Sequence, residues 1–180
     1  MPVRLSTALT LIALATGATP AFAADVTVQA TVSRGDLSTT WPDASIALPL
    51  VNLDGGGDQQ VYVDLPFTVE DRRGNGSGWS LSVASNGFWQ ALTPMPGTSA
   101  SFTGVNASCA STGSCTLPQT TVAYPVPVDG NVPAVKFFNA DTGTGMGTTS
   151  VSARFAVTVP GNSLAGDFAT TLTLTQAAGP

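Results

Sequence analysis

Few residues in this chain could carry out covalent chemistry, and their spacing does not suit it. The sequence has no histidine, which excludes a Ser-His-Asp or Cys-His centre. Glu70 and Asp71 are adjacent, so they are not the facing carboxylates of a glycosidase. The next acids, Asp64 and Asp54, could join them only through tertiary folding. Asp54 and Asp58 flank three glycines in "DGGGD", and Asp141 lies in a second glycine loop. Oxygen-rich flexible loops can hold calcium, but this spacing fits no EF-hand or repeated calcium motif, and turn aspartates are the preferred reading. Cys109 and Cys115, in "CASTGSC", are the only cysteines. Two thiolates without histidine do not make a zinc site. In an exported chain they are expected to pair, which stabilises so short a loop by about 2 kcal/mol. The expectation is therefore no catalytic residue, no metal and no cofactor: a binding or assembly protein and not an enzyme.

Binding chemistry is better represented. Trp79 alternates in phase with Leu81 and Val83 in "GWSLSV". That phase favours core packing over an exposed indole stacked on a sugar ring. Phe88 and Trp89 are neighbours, so in a strand they point to opposite faces, and Trp89 is a candidate docking residue. Trp41, in "TTWPD", sits before a proline where strand burial does not account for it, and is a second candidate. Flat aromatics beside polar amides suit contact with glycan or protein. Asp71, Arg72 and Arg73 lie between an alternating run and the bend "GNGSG". Arginine's planar fork can pair with a carboxylate and bond loop carbonyls, so these charges are expected to clamp the turn that leads into Trp79.

The elements that position these residues have period two. Val26, Val28, Ala30 and Val32 share a face, as do Val61 through Val69 and Val151 through Val159, taken alternately. Phe168, Thr170, Leu172 and Leu174 oppose Ala169, Thr171, Thr173 and Thr175. Such alternation predicts half-buried strands. Weaker strand candidates are 45–51, 87–92, 98–105, 120–124 and 132–138. Glycine, proline and asparagine clusters separate the runs, and the one place for a helical turn is around Asn162 to Ala165. The predicted fold is all-β: an antiparallel β-sandwich or barrel in one domain. Pro66 cannot donate to a ladder, so its strand should lie at an edge or carry a bulge there.

Residues 1–23 read as a secretory signal peptide: Arg4, an apolar run, then Ala21-Phe22-Ala23. That leaves 24–180 as the β domain. The run is shorter than the ~20 residues of a spanning helix, and no second one follows, so no transmembrane anchor is expected. The part after Ala23 keeps all 11 acids and loses one of the 6 basic residues. Without a basic stripe, nucleic acid is not an expected partner.

Two segments taken together resemble a known family. "DRRG…GWSLSV" and, far downstream, "AGDFATTLTLTQAAGP" are similar to the WxL-domain surface proteins of Gram-positive bacteria. Trp79-Ser80-Leu81 matches the namesake motif, and Asp71, Arg73, Gly74 and Gly78 fit the positions that lead into it. Ala165-Gly166, Phe168 through Thr173 (with Leu172) and Pro180 fit the distal motif, so the resemblance spans about Val61 to Pro180. Phe168 stands where the family usually has tyrosine, and Leu174 where it has a second tryptophan. The resemblance implies a secreted, non-enzymatic protein held non-covalently on cell-wall peptidoglycan, often with a surface protein partner in adhesion. Two alternatives stand beside it. One is a structural subunit that polymerises through a sheet edge; the other is a carbohydrate-binding module using Trp41 or Trp89.

Overall fold

The computed structural model describes residues 28–42, 45–111, 115–128, 130 and 133–180. The described residues form ten strands: β1 (Leu37–Thr40), β2 (Gln59–Asp71), β3 (Trp79–Ser85), β4 (Trp89–Gln90), β5 (Thr93–Pro94), β6 (Ser99–Cys109), β7 (Val126–Pro127), β8 (Val135–Ala140), β9 (Gly147–Val159) and β10 (Leu172–Ala178). Among the described residues the only helical element is a 3-10 turn at Leu53–Gly55. The all-β antiparallel expectation is met.

One sheet has the order β1-β2-β9-β6-β7 and the other β10-β3-β8; β4 and β5 form a small ribbon. β2 and β9 pair over their whole length, from Gln59 opposite Val159 to Asp71 opposite Gly147. The period-two runs explain this. Leu65, Phe67 and Val69 on β2 and Val151, Ala153, Phe155 and Val157 on β9 are buried, while Asp64 and Arg154 face out. The two sheets share one core. Phe137 of β8 stacks on Phe102 of β6, with ring centroids 4.5 Å apart, and meets Phe67 of β2 edge-on at 6.2 Å. Aromatic pairs in these geometries add about 0.5–1.5 kcal/mol each beyond area burial.

Pro66 sits where one side of β2 is open. β1 ends at Thr40, opposite Thr68, and does not extend alongside Pro66. The missing N–H therefore need not interrupt a ladder on that side.

Five of the strand expectations fail in whole or in part. Residues 28–32 form no strand, and Val28 and Val32 are 88% and 91% exposed; Val26 and Thr27 lie outside the described residues. Residues 45–51 form no ladder, and Pro49 would interrupt one. Residues 120–124 form a strap over β8, bonded to a side chain in place of a neighbouring backbone. The Asn139 Oδ1 accepts from Thr121 N–H at 3.0 Å and from the Thr120 hydroxyl at 2.9 Å. The strand expected over 87–92 shrinks to β4, because Ala91 turns the chain with φ 50°. The segment around Asn162 to Ala165 holds a turn but no helix, with Ser163 N–H bonded to Pro160 O at 3.0 Å. Phe168 lies outside β10, which begins at Leu172. Alternation marks a two-faced segment, but a strand also needs a partner edge.

Candidate functional site

The two motif segments meet in one sheet. β10 pairs antiparallel with β3, setting Ala178 opposite Trp79, Gln176 opposite Leu81, Leu174 opposite Val83 and Leu172 opposite Ser85. Gly179 N–H bonds Gly78 O at 3.1 Å, placing the Gly179-Pro180 end beside the start of β3.

Trp79 is fully buried. It lies edge-on to Phe138, ring centroids 5.4 Å apart, and its indole N–H donates to Gly145 O at 3.0 Å. Two glycines make room for this arrangement. A Cβ on Gly145 would stand 2.7 Å from the indole nitrogen and 2.4 Å from the Ala140 Cβ; one on Gly78 would stand 2.3 Å from Ala140 O. Both have positive φ, 70° and 71°, a region in which residues with a Cβ are strained. Leu81 is also fully buried. The indole is thus part of the core, and no face of it is available to a ligand. Sequence reading missed Gly145, because nothing in "DTGTGMG" distinguishes a packing glycine from a turn glycine.

The acidic and basic residues before Trp79 divide into a buried pair and an exposed one. Arg73 Nε donates to Asp71 Oδ1 at 2.9 Å and Arg73 Nη2 to Asp71 Oδ2 at 2.8 Å. The same Nη2 reaches Gly78 O at 2.6 Å, and Arg73 N–H bonds Asp71 Oδ1 at 3.1 Å. Both residues are buried. The fork therefore ties the end of β2 to the residue before Trp79, across a bend that Gly74 makes with φ 66°. Hydrogen bonding from Arg73 holds the Asp71 carboxyl below its usual range against the opposing effect of burial, and the same bond raises the Arg73 guanidinium. Arg72 pairs with Glu70 at 3.2 Å on the surface, an arrangement worth about 0–1 kcal/mol.

The candidate docking aromatics lie elsewhere. Phe88 points inward and Trp89 outward: Phe88 is buried and Trp89 is 41% exposed. The Trp89 backbone exchanges two hydrogen bonds with Ala169, at 2.8 and 2.9 Å, and its indole N–H donates to Asn86 O at 2.6 Å. Its exposed ring borders a depression of about 390 Å³ formed with Pro94, Met95, Pro96 and Gly130. Trp41 is half-buried, tilted against Phe67 with centroids 5.8 Å apart. It lines a larger apolar groove of about 1130 Å³, which Phe168, Leu172 and Leu174 also line.

Cys109 and Cys115 form a disulfide with Cα atoms 5.4 Å apart. The bond closes the chain where β6 leaves β9, since Cys109 lies opposite Thr149 and Cys115 bridges to Gly147. The loop carboxylates serve local bonds: Asp58 accepts from Gly161 N–H at 3.1 Å, and Asp141 from the Asn139 amide at 3.0 Å. Among the described residues, no group of three or more acids or cysteines is placed to hold a metal ion, and no helix is long and apolar enough to cross a membrane.

A Trp-x-Leu strand zipped to a distal threonine-rich strand, with its tryptophan in the core of an antiparallel sandwich, defines a β module whose signature residues build the fold. Residues 46–179 match the family described as WxL domain, surface cell wall-binding, and the chain belongs to that family. The match begins upstream of the motif segments, and so takes in the loop before β2. The chain is accordingly a surface protein of the cell-wall-associated class. No curated protein and no solved structure matches it.

Proposed function

We propose that this chain is exported, loses residues 1–23, and as 24–180 acts as a non-enzymatic domain held non-covalently on peptidoglycan, together with a protein partner at the cell surface. Family membership over residues 46–179 carries this reading. The residue inventory supports the absence of catalysis, since no histidine is available as a base. Charge supports an uncharged mode of attachment. Arg73 is neutralised by Asp71 and Arg72 by Glu70, and Arg154 lies 3.6 Å from Asp64. Among the described residues the other cations are Arg34 and Lys136, too few to form a basic stripe that could track wall anions or nucleic acid.

Attachment then falls to exposed aromatic and amide groups. Trp89 fits best, because its ring borders a shallow depression beside the amide of Asn86, the setting in which an indole stacks on a sugar ring. The test is co-sedimentation of the purified protein with cell-wall sacculi. Trp89→Ala, checked for folding by circular dichroism, is expected to lose most of the sedimenting fraction. A folded Trp89→Ala protein that sediments like the parent would move the contact elsewhere on the surface.

A further inference from the structure

Among the described residues, no strand pairs with one side of β2 from Gln59 to Phe67: β1 covers only Thr68 to Asp71 and β9 occupies the other side. Along that stretch Val61, Val63 and Leu65 turn their side chains into the apolar groove of about 1130 Å³. Leu172 and Leu174 of β10 stand across it, and the loop with Leu50 and the turn with Leu164 form its rim. Leu50 is 86% exposed and Leu164 64%. Among the described residues, no strand fills the space between β2 and β10 at this end. An open edge beside uncovered apolar surface is what natural sheets normally avoid.

The chain also carries a segment with the alternation of a strand, of which the described part, 28–32, forms none. Val26-Thr27-Val28-Gln29-Ala30-Thr31-Val32 alternates without a break, yet residues 28–32 are exposed and unladdered. Its apolar face would point the way Val61, Val63 and Leu65 point, and Thr27, Gln29 and Thr31 would face water. Its length, about 24 Å extended, suits the open edge from Gln59 to Leu65. We propose that this segment of one copy adds as a strand to the open β2 edge of a second copy and fills that copy's groove.

Chain length argues against the same copy supplying it. Gly35 N–H is bonded to Arg72 O, at the far end of β2 from Gln59. The near end of the open edge, Phe67, lies about 17 Å from Arg72 along the strand. The link from Val32 to Gly35 spans about 11 Å at most, and β1 occupies the edge between. Pairing of the whole segment with Gln59–Leu65 of its own copy exceeds that reach, whereas the edge of a second copy sets no such limit. Donor segment and acceptor groove are different surfaces, so the contact is head-to-tail and leaves a free groove at one end and a free strand at the other. Such contacts grow into filaments unless they close into rings. The inference stands independently of wall attachment.

The experiment uses the full chain, secreted with its own leader, with mass followed by light scattering as concentration rises. The parent is expected to climb from one-chain mass to multiples. Val28→Asp with Val32→Asp changes only exposed residues, so it should stay folded by circular dichroism and remain at one-chain mass. A synthetic peptide spanning Asp25–Arg34 is expected to bind this double variant. Adding Leu164→Asp at the groove rim should weaken that binding by about tenfold or more. A parent that keeps one-chain mass at every concentration overturns the proposal; if the peptide nonetheless binds, the groove has another occupant. Assembly that survives the double variant overturns it as well.

Discussion

Replacing Trp79 by phenylalanine separates a residue that holds the fold from one that touches a ligand. The variant keeps an aromatic ring against Phe138 but removes the N–H that donates to Gly145 O. That carbonyl then loses a buried donor, at about 1–3 kcal/mol. The smaller ring also leaves a void beside Gly145. Full truncation of a buried tryptophan costs about 3–5 kcal/mol, so the retained phenyl should confine the void's share to about 1 kcal/mol on the same scale. The sum, about 2–4 kcal/mol, is a large share of the roughly 5–15 kcal/mol that stabilises a domain. With a urea slope of about 2 kcal/mol per molar, the midpoint should fall by about 1–2 M. Far-UV circular dichroism should follow the titration, because tryptophan fluorescence itself changes with the substitution. Sacculus co-sedimentation without urea, run in parallel, should match the parent, since most molecules remain folded. A variant with the parent's midpoint but no sacculus binding would refute the reasoning, because it would place the indole at the ligand and not in the core.

Other outcomes follow from the same geometry. Asp71→Asn strands a buried guanidinium and should cost about 3–5 kcal/mol near neutral pH. Because the folded Asp71 carboxyl ionises below its usual range, its contribution is complete above the ordinary carboxylate pKa and is lost as pH falls through the depressed one. The gap between parent and Asp71→Asn in urea titrations should therefore narrow as pH falls below the ordinary carboxylate range. Reducing Cys109–Cys115, or replacing both residues by serine, should lower stability by only about 2 kcal/mol, leaving the fold intact by circular dichroism. Burial pushes the Tyr124 phenol up to about 12, and its hydroxyl donates to Phe137 O at 2.7 Å. In a Tyr62→Phe background, phenolate absorbance should stay absent until that range while the protein remains folded. Stability should fall from about pH 10 upward, because the unfolded phenol ionises first.

Much of this fold is legible in the sequence wherever two apolar faces oppose each other. β2, β3 and β9 follow their alternating residues closely, since one side of each lies on the shared core. The reading fails where alternation lacks a partner. Residues 28–32 have the pattern but no neighbouring edge, and 120–124 give their hydrogen bonds to the Asn139 side chain. Asn139 was invisible as a site because a buried asparagine has no periodic signature; its importance comes from Thr120 and Thr121, in a loop that precedes its strand, and from Asp141 just after it. The Asp71–Arg73 pairing was readable because charge is scarce here and two residues of separation suffice for a fork. Its third contact, to Gly78 O, depends on the intervening bend. The opposite orientations of Phe88 and Trp89 follow from adjacency alone. Trp41 required the tertiary structure, because the ring it packs on belongs to β2.

The departure at Leu174 acquires a physical meaning from this arrangement. Leu174 lies opposite Val83 on β10, half-buried, with its side chain among those lining the open groove. A tryptophan there would project into that groove beside Val63 and Leu65, occupying space between the sheets. Leucine at this position therefore removes groove filling and not an outward docking ring. The motif residues placed in β3 and β10 behave alike in this respect. Trp79, Leu81, Leu172 and Leu174 all turn toward the space the two sheets enclose. Such residues specify that β3 and β10 pair in register, and the threonines that alternate with the leucines of β10 supply its wet face. Under the proposed wall attachment, recognition falls to residues whose spacing carries no motif, and Trp89, held by Asn86 and Ala169 at the start of a two-residue strand, is a stronger docking candidate than the buried tryptophan that names the family.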